Sequence, residues 1–497
     1  MRSAPWQLLW IVAGAACARG AVMPTPLTDD RASLRHSIDS MLAAPETRSA
    51  RWGVLIVDPE RGDTLYSHDA GKLLVPASNQ KILTAAVALD ALGPDYQYPT
   101  AFLAGGTLRG GILEGNLLVE GRGDPTVSDN IAGDAMLPLQ AAADSIAARG
   151  ITRIRGRLLP FGNAFPDANI GHAWEHDDLA TSSGAAIDEL LFNDGIARVT
   201  VFAGTRVGDT VRAQTSPART FPRLRVFATT TDSIGPDSVA RLSAVKDTLR
   251  GDVVVAGTVP QGDSASLTVA FRDPAAAYLA ALREALSDRG VVVDDDTIVT
   301  DTARMDTLFI MRSPPLSVIL AAFLKPSQNQ IGEVLFKTVA LVQADTGTGR
   351  VARRIIGERL RAWGAADDGF LVWDGSGLSR QDLVSPETLI RVLEAMRRHR
   401  YFQTYYDAFP VAGVDGTLRT RMRGTAAEAN ARGKTGTLSN VRSLSGYVTT
   451  ADGRMLLYSV LCNNYLVPTA YISRVQDTIA VRLARLRELR ASRGGGN

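Results

Sequence analysis

The chain has 497 residues, several times the length of a typical domain, so it can bury a sizeable core and should form several domains or one domain with insertions. Its 54 lysines and arginines balance 52 aspartates and glutamates, which excludes the positive field of a nucleic-acid-binding chain or a polybasic membrane patch. Small molecules or peptides are therefore the expected partners. Chemistry that needs an amine has few candidates: Lys72, Lys81, Lys246, Lys325, Lys337 and Lys434.

The N-terminus, MRSAPWQLLWIVAGAACARGAV, has one early arginine, an apolar stretch and then small residues, which is the layout of a secretory signal peptide. The apolar stretch is too short to span a bilayer. Ala16-Cys17-Ala18 fits an A-x-A cleavage site, so the mature chain could begin at Arg19. Lipidation at Cys17 is the alternative, although Gly14 stands where a lipoprotein signal has a leucine-like residue. Both interpretations predict export to the periplasm or cell envelope, the second with a lipid anchor.

The next predicted elements are two strand-like runs in RWGVLIVDPERGDTLYSHDAGKLLVPAS and an apolar run with helical spacing that starts at Ser78. Glycine pairs then indicate hairpins, and short alternating runs predict strands from Ile187 to about Thr300, with one helix at DPAAAYLAALREALSDRG. Helices dominate from Ser313. Two strands and a last amphipathic helix, from about Ile472 to Ser492, complete the chain. This order predicts an α/β domain with a β-rich insertion.

Ser78 and Lys81 stand three positions apart, so their side chains would share one face of a first helical turn. A lysine with a lowered pKa could take the serine proton and make the serine a nucleophile. The pattern has little weight alone, because it recurs at Ser243 and Lys246. A serine at this position is also a good helix N-cap, and both interpretations stay open on this pair alone.

Lys434-Thr435-Gly436-Thr437 opens a later strand-like run, and Gly436 would let a ligand approach the backbone closely. An ordinary strand start with a turn glycine would explain this run by itself. Together with the serine–lysine pair, however, K-T-G is the signature of penicillin-binding proteins and serine β-lactamases, and it predicts a third element, S-x-N.

Two stretches could supply that element. Ser128-Asp129-Asn130 follows several turn-forming residues, so its polar side chains are expected to form turns. Ser327-Gln328-Asn329 interrupts a pair of predicted helices, where a short loop can direct both outer side chains into a cleft. We therefore predict Ser327 and Asn329 as the second motif.

With these motifs the chain resembles the D-alanyl-D-alanine carboxypeptidase and endopeptidase family of low-molecular-mass class C penicillin-binding proteins. The resemblance extends over nearly everything after the N-terminal signal. Four further stretches are similar to segments of that family: VEGRGDPTV, SPPLSVILAAFLKPSQNQIGE, WDGSGLSRQDLVSP and FPVAGVDGTLRTRMRG. Gln328 departs from the aspartate of many penicillin-recognising enzymes, at a position that varies among them.

The resemblance implies an α/β (α+β) fold of the penicillin-binding transpeptidase or β-lactamase type, in which a discontinuous serine domain carries a β-rich inserted region of two small domains. The implied limits are 1–18 for the signal peptide, 30–98 and 309–492 for the catalytic domain, 99–123 and 189–308 for the β-rich inserted domain, 124–188 for the second inserted domain, and 493–497 for a flexible tail.

The resemblance also implies a serine peptidase that cleaves D-Ala-D-Ala in peptidoglycan stem peptides, as a carboxypeptidase, an endopeptidase or both, and that β-lactams acylate. In that mechanism Ser78 attacks, Lys81 is the general base and Ser327 relays a proton. No metal or organic cofactor is expected. The substrate contacts would be Asn329, Lys434, Thr435, Gly436 and Thr437, and the oxyanion hole would be the backbone N–H groups of Ser78 and Thr437. Lys434 would also help to keep Lys81 neutral through like-charge repulsion.

Three alternatives accompany this assignment. A β-lactamase on the same fold needs a glutamate that holds a deacylating water, and the sequence identifies none. Three intact motifs argue against a catalytically silent envelope-binding protein. HAWEH matches the H-x-x-E-H pattern of inverted zinc peptidases, with His172 and His176 as ligands, but its flanks make a poor helix, so a polar loop is the simpler interpretation. Trp174 and Asp178 are then predicted to contribute to substrate recognition.

Overall fold

The structure is a computed structural model of the chain, and it describes residues 30–219, 221–232, 240–246, 253–300 and 305–487. The predicted signal peptide, Cys17 and the predicted tail lie outside these residues. Within the described ranges, no helix has both the length and the apolar character needed to cross a membrane.

The predicted alternation of strand-rich and helix-rich regions is present. The helices are α1 (Arg31–Leu42), α2 (Gln80–Leu92), α3 (Asp129–Ala132), α4 (Met136–Ala147), α5 (Pro274–Asp288), α6 (Leu316–Leu324), α7 (Asn329–Ala344), α8 (Gly349–Ala362), α9 (Pro386–Arg397), α10 (Phe402–Asp407) and α11 (Thr469–Arg485). The strands are β1 (Arg51–Asp58), β2 (Asp63–His68), β3 (Pro99–Arg109), β4 (Ile112–Glu120), β5 (Arg153–Ile154), β6 (Leu158–Phe161), β7 (Ile196–Phe202), β8 (Arg212–Ser216), β9 (Leu224–Val226), β10 (Thr229–Thr231), β11 (Arg241–Lys246), β12 (Val253–Pro260), β13 (Ser264–Ala270), β14 (Val292–Val293), β15 (Met305–Arg312), β16 (Phe370–Leu371), β17 (Leu383–Val384), β18 (Arg432–Leu438), β19 (Val441–Thr449) and β20 (Met455–Asn463).

One antiparallel sheet joins the two ends of the chain, in the order β18-β19-β20-β1-β2. Successive side chains of a strand point to opposite faces, and both faces of this sheet are covered. Leu55, Leu457 and Leu461 pack with helices α2 and α6 to α10 in one hydrophobic cluster. Val54 and Val460 pack with α1 and α11 on the other face. The strand β18 therefore lies at an edge of a sheet that is held between two helical layers.

Helix α2 is the centre of the first cluster. Every residue from Gln80 to Leu89 is buried, which agrees with its nearly continuous apolar sequence, because a helix that is apolar on all sides requires a buried position. Lys81 is the one basic residue in that run. The chain therefore places an amine in a fully buried position, three residues after Ser78.

The region between α2 and α6 forms separate sheets around a second hydrophobic cluster. One sheet has the order β14-β5-β4-β3-β15, with β6 also paired to β4. Two smaller sheets contain β13-β7-β8 and β10-β12-β11, with β9 paired to β12. Because β5 and β6 come from residues 124–188 and pair with β4, the larger sheet contains strands from both predicted inserted domains. The predicted domain limits stay a prediction.

Candidate active site

Ser78 lies in a short 3₁₀ turn directly before α2, and Asn79 rather than Ser78 occupies the N-cap position of that helix. The preceding Ala77 has a φ of 47°, in the left-handed region that is unfavourable for a residue with a side chain. Asn79 fastens the turn to the sheet, because its Nδ2 donates to the Lys434 backbone oxygen at 2.7 Å. The hydroxyl of Ser78 is therefore presented from a constrained turn.

Lys81 is fully buried, and its Nζ lies within hydrogen-bond distance of three oxygen atoms. These are Ser78 Oγ at 2.9 Å, Asn329 Oδ1 at 2.6 Å and the Ser376 carbonyl oxygen at 2.6 Å. The Asn329 amide is oriented from its other end, where Nδ2 donates to the Ser183 carbonyl at 2.9 Å. The structure thus brings Ser78, Lys81 and Asn329 together, and it adds Ser376.

The charge state of this lysine follows from its burial. Burial lowers the pKa of Lys81 to about 7, against the opposing effect of the carboxylates of Asp374, Glu333 and Asp382. The pKa of Lys434 is held well below its usual range, first by burial and then by the neighbouring Lys81. Burial is thus the first cause of both lowered pKa values, and the like-charge repulsion between Lys81 and Lys434 acts in the same direction.

Ser327 precedes α7, in the short loop that follows α6. Its φ of 69° is in the left-handed region, so this loop is constrained as well. Lys434 Nζ donates to Ser327 Oγ at 2.8 Å and to the Thr435 carbonyl at 2.9 Å. Thr435 Oγ1 donates to Thr417 Oγ1 at 2.8 Å. The second and third predicted motifs are therefore in direct contact.

Gly436 allows strand β18 to lie against the Ser78 turn. A Cβ at this position would lie 2.1 Å from Ser443 Oγ, 2.7 Å from the Pro76 oxygen and 3.0 Å from the Ser78 nitrogen. The sequence predicts that this glycine lets a ligand approach closely, whereas the turn that carries Ser78 fills the space. Ser78 and Thr437, which follows Gly436, both line the same cleft.

A cavity of about 610 Å³ opens at this point. Of the residues predicted from the three motifs, Ser78, Ser327, Asn329, Thr435 and Thr437 line it, whereas Lys81 and Lys434 are fully buried and Gly436 is buried outside the lining. The cavity wall also contains Glu175 of the HAWEH stretch and residues that the sequence did not identify as part of a site: Ser182, Ser183, Pro326, Gly377, Leu378, Arg380, Thr417, Leu438 and Ser439.

Polar contacts join the inserted region to the rest of this wall. Arg380 Nε donates to Glu175 Oε1 at 2.7 Å, and its Nη2 donates to the Ser439 carbonyl at 3.1 Å. Asp178, predicted to contact substrate, lines the cavity. Trp174 does not do so, because it is buried and its Nε1 donates to Asp374 Oδ2 at 2.9 Å. The prediction for Trp174 is corrected accordingly.

The alternative S-D-N segment has a structural role outside the cavity lining. Ser128 is fully buried and caps α3, and its Oγ donates to Asp194 Oδ2 at 3.0 Å. Asn130 Nδ2 donates to the same carboxylate oxygen. The second S-x-x-K pattern lies within β11, where Ser243 is exposed and the two residues belong to a strand rather than a helical turn. Neither segment lines the cavity among the described residues.

The HAWEH stretch is not the helix that a zinc peptidase requires. Ala173 has a φ of 56°, and only a 3₁₀ turn begins at His176. The His172 ring stacks on Trp373 with ring centroids 4.2 Å apart, and its Nε2 lies 3.2 Å from Gln381 Oε1. Across the described ranges, no group of three or more histidine, cysteine or carboxylate side chains is arranged to hold a metal ion. The zinc alternative has no support.

Comparison with known proteins agrees with this geometry. The model of the D-Ala-D-Ala carboxypeptidase 3 (S13) family matches residues 34–486. A D-alanyl-D-alanine carboxypeptidase from Actinomadura sp. (strain R39) is 34% identical over 470 residues, which are 91% of this chain and 84% of that protein. The D-alanyl-D-alanine carboxypeptidase DacB of Haemophilus influenzae is 26% identical over 83% of this chain and 85% of that protein.

The fold is similar to that of a solved structure. The crystal structure of penicillin binding protein 4 (dacB) from Haemophilus influenzae superposes with a TM-score of 0.76 at 24% identity, covering 90% of this chain and 99% of the other. This similarity confirms the predicted penicillin-binding fold. The chain therefore belongs to the D-Ala-D-Ala carboxypeptidase 3 (S13) family, and it is a D-alanyl-D-alanine carboxypeptidase.

Proposed function

We propose that this carboxypeptidase acts through an acyl-enzyme on Ser78, with Lys81 as the general base. The observation that carries this assignment is the set of three oxygens around Lys81 Nζ. A neutral amine has two N–H donors and one lone pair. The Asn329 and Ser376 oxygens are acceptors, so they take both N–H groups, and the lone pair is left for the proton of the Ser78 hydroxyl.

Acylation then follows with a balanced set of steps. Ser78 Oγ attacks the carbonyl carbon between two terminal D-alanines while Lys81 takes the hydroxyl proton. The backbone N–H groups of Ser78 and Thr437 would stabilise the oxyanion. When the C–N bond breaks, the proton that Lys81 took from Ser78 passes by way of Ser327 to the departing amine of D-alanine, and Lys81 is neutral again. Water then attacks the ester, Lys81 takes one proton of that water and returns it to Ser78 Oγ, and the shortened peptide leaves with a carboxyl group.

Lys434, with the hydroxyls of Thr435 and Thr437, is proposed to bind the terminal carboxylate of the substrate. Burial lowers the pKa of Lys434 well below its usual range. A substrate carboxylate next to it would favour the charged ammonium, so binding would restore the positive charge that holds the carboxylate. Asn329 completes the proposed substrate contacts through its side-chain amide, whereas Gly436 contributes by allowing β18 to lie against the Ser78 turn.

The substrates are proposed to be peptidoglycan stem peptides, cleaved as a carboxypeptidase and, at cross-links, as an endopeptidase. A β-lactam presents its strained amide in the same position and is expected to acylate Ser78.

Action on peptidoglycan requires export of the enzyme, which agrees with the predicted signal peptide at residues 1–18. N-terminal sequencing of the exported protein tests the predicted cleavage. A chain that begins at Arg19 indicates a cleaved form, and one that begins at a modified Cys17 indicates a lipid anchor in the envelope.

Labelling with a fluorescent penicillin tests the assignment of the nucleophile. The wild type should be labelled covalently and should release D-alanine from a stem pentapeptide, and Ser78→Ala should do neither. Ser243→Ala is the matched control from the second S-x-x-K pattern, and it should behave as the wild type. Labelling that persists in Ser78→Ala would contradict the proposal. Rapid loss of the label by hydrolysis would instead favour a β-lactamase.

A further inference from the structure

The loop at residues 374–379, with the sequence DGSGLS, forms one wall around Lys81. The Ser376 carbonyl accepts from Lys81 Nζ at 2.6 Å. The neighbouring Gly375 carbonyl accepts from Thr84 Oγ1 at 2.7 Å, one turn further along α2. Both contacts use the backbone of the loop. The path of this backbone therefore determines where the amine of Lys81 is held.

Asp374 fixes that path. Its Oδ1 accepts from the backbone nitrogens of Ser376 at 3.1 Å and Gly377 at 2.6 Å, and its Oδ2 accepts from the nitrogen of Ser379 at 2.8 Å. The side chain is 1% exposed, so these bonds do not compete with water. Removing such an acceptor would leave several buried N–H groups unsatisfied, which is costly.

Trp174 supports the same carboxylate from outside the loop. Its Nε1 donates to Asp374 Oδ2 at 2.9 Å, and an indole nitrogen can act only as a donor. Trp174 comes from the HAWEH stretch in the inserted region, whereas Asp374 follows α8 in the helical region. Neither residue lines the active-site cavity within the described part of the chain. Their contribution must therefore pass through the loop.

Two more buried carboxyl groups hold the loop on its other side. Asp382 Oδ1 accepts from the Trp373 nitrogen at 2.6 Å, and Glu333 Oε1 accepts from the Gly375 nitrogen at 3.1 Å. Burial raises the pKa of Glu333 to about 8 and that of Asp382 well above its ordinary value. The titratable groups around Lys81 are thus Asp374, Glu333, Asp382 and, from β18, Lys434.

We propose that Asp374, supported by Trp174, is a positioning residue for Lys81: it holds the Ser376 carbonyl where that oxygen orients the amine toward Ser78. This inference rests on the proposed role of Lys81 as the base. It assigns a catalytic contribution to two side chains that do not touch the substrate. It also gives the inserted region a direct connection to the serine–lysine pair.

Trp174→Phe tests the proposal without changing any charge. It removes the indole N–H and keeps an aromatic ring. We expect the second-order rate constant for acylation by penicillin to fall about tenfold, since displacement of a base by a fraction of 1 Å is costly. The midpoint of the pH profile should stay near 7, because the charges around Lys81 are unchanged.

Trp52→Phe is the matched control. Trp52 is also buried, but its Nε1 has no acceptor among the described residues and it packs in the cluster beside α1 and α11. This variant should acylate as the wild type does. The thermal midpoint of unfolding, measured for both variants, separates loss of folded protein from loss of rate.

Asp374→Asn is the stronger variant. Replacing the carboxylate should lower the rate about 100-fold. It should also move the midpoint of the pH profile, because Asp374 acts on the pKa of Lys81 directly and on the pKa values of Glu333 and Asp382, which also act on Lys81. Asp58→Asn is its control, since Asp58 is a buried carboxylate that accepts from the nitrogens of Glu60 and Arg61, at 3.1 and 3.2 Å, in the turn after β1.

The outcomes distinguish this inference from the function on which it rests. If the wild type is not labelled by penicillin, the proposed function fails. If the wild type is labelled, and folded Trp174→Phe and Asp374→Asn react as fast as their controls, the positioning role is overturned. A reduced rate in both variants, with the pH midpoint moved only in Asp374→Asn, would support it.

Discussion

The site contains two buried lysines, and their different hydrogen-bond partners give them different proposed roles. Lys81 has three oxygen neighbours that can direct its lone pair, whereas Lys434 contacts Ser327 and its own strand. Burial disfavours the charged form of both. Only Lys81 reaches the nucleophile directly, which makes it the residue whose protonation should control acylation.

The pH profile of acylation should follow the pKa of Lys81. Because the base must be neutral, the rate should be maximal above a pH of about 7 and should fall as the pH drops through that value. Stopped-flow measurement of penicillin acylation over a range of pH checks this. An acid limb close to the ordinary pKa of a lysine would show that burial does not activate Lys81.

Substitution of the serine should have different effects in the two candidate S-x-N segments: loss of acylation rate in one and loss of stability in the other. Ser327→Ala should slow acylation or leaving-group departure about 100-fold or more, because it removes a proposed proton relay. Ser128→Ala removes a buried hydrogen bond to Asp194 and should lower the free energy of unfolding by about 1 kcal/mol. Penicillin labelling of Ser128→Ala should remain at the wild-type rate. Loss of labelling in Ser128→Ala alone would reverse the assignment.

The sequence predicted the side chains of the site more readily than its backbone groups. Ser78, Lys81, Ser327, Asn329 and the K-T-G run have residue types that the chemistry requires. The Ser376 carbonyl leaves no such signal, because any residue offers the same oxygen. The DGSGLS stretch carries no signal beyond the family resemblance, and only the structure places it against Lys81.

At the scale of elements, the contact between β18 and the Ser78 turn depends on a residue without a side chain. Gly436→Ala would place a methyl group 3.0 Å from the Ser78 nitrogen and closer still to Ser443 Oγ and the Pro76 oxygen. The strand or the turn must then move, so the oxyanion donors should separate. We expect the acylation rate to fall at least tenfold, since removal of one such donor costs about 100-fold or more.

The control for this prediction is Gly71→Ala. A Cβ at Gly71 would meet no atom closer than 3.6 Å, so the substitution should be tolerated. Labelling rates and thermal midpoints of the two variants, compared with those of the wild type, measure the effect. A wild-type rate in Gly436→Ala would show that the strand and the turn adjust without loss of geometry.

The first residue of α2 differs between the sequence-based prediction and the structure, because a tertiary contact sets it. The apolar spacing predicted a helix from Ser78, and the helix begins at Gln80. Ser78 is instead held in a 3₁₀ turn by the bond from Asn79 to strand β18, which is distant in sequence. A pattern of neighbouring residues carries no information on such a contact, so the boundary could not be predicted.

At the scale of the whole molecule, the described residues contain three hydrophobic clusters. The helices that carry the catalytic side chains and the sheets of the inserted region belong to different clusters. The first contains α2 and α7, which carry Lys81 and Asn329. The second lies among the sheets of the inserted region. The change from strand-rich to helix-rich sequence predicted a β-rich block inserted in an α/β domain, and the second cluster lies in that block. It could not predict which strands share a sheet, because pairing depends on contacts between distant segments.

Two leucines in different clusters provide a matched pair for the last prediction. Leu335 lies in α7 within the first cluster, and Leu286 lies in α5 within the second; both are fully buried. Replacement of either by alanine should cost about 2–5 kcal/mol of unfolding free energy, because each leaves a cavity. Only Leu335→Ala should also slow penicillin acylation of the folded protein, since α7 begins with Asn329. Denaturant unfolding and labelling rates measure the two effects separately. If Leu286→Ala slows acylation as much as Leu335→Ala does, the core of the inserted region also controls the site. If both variants acylate at the wild-type rate, packing behind α7 does not affect Asn329.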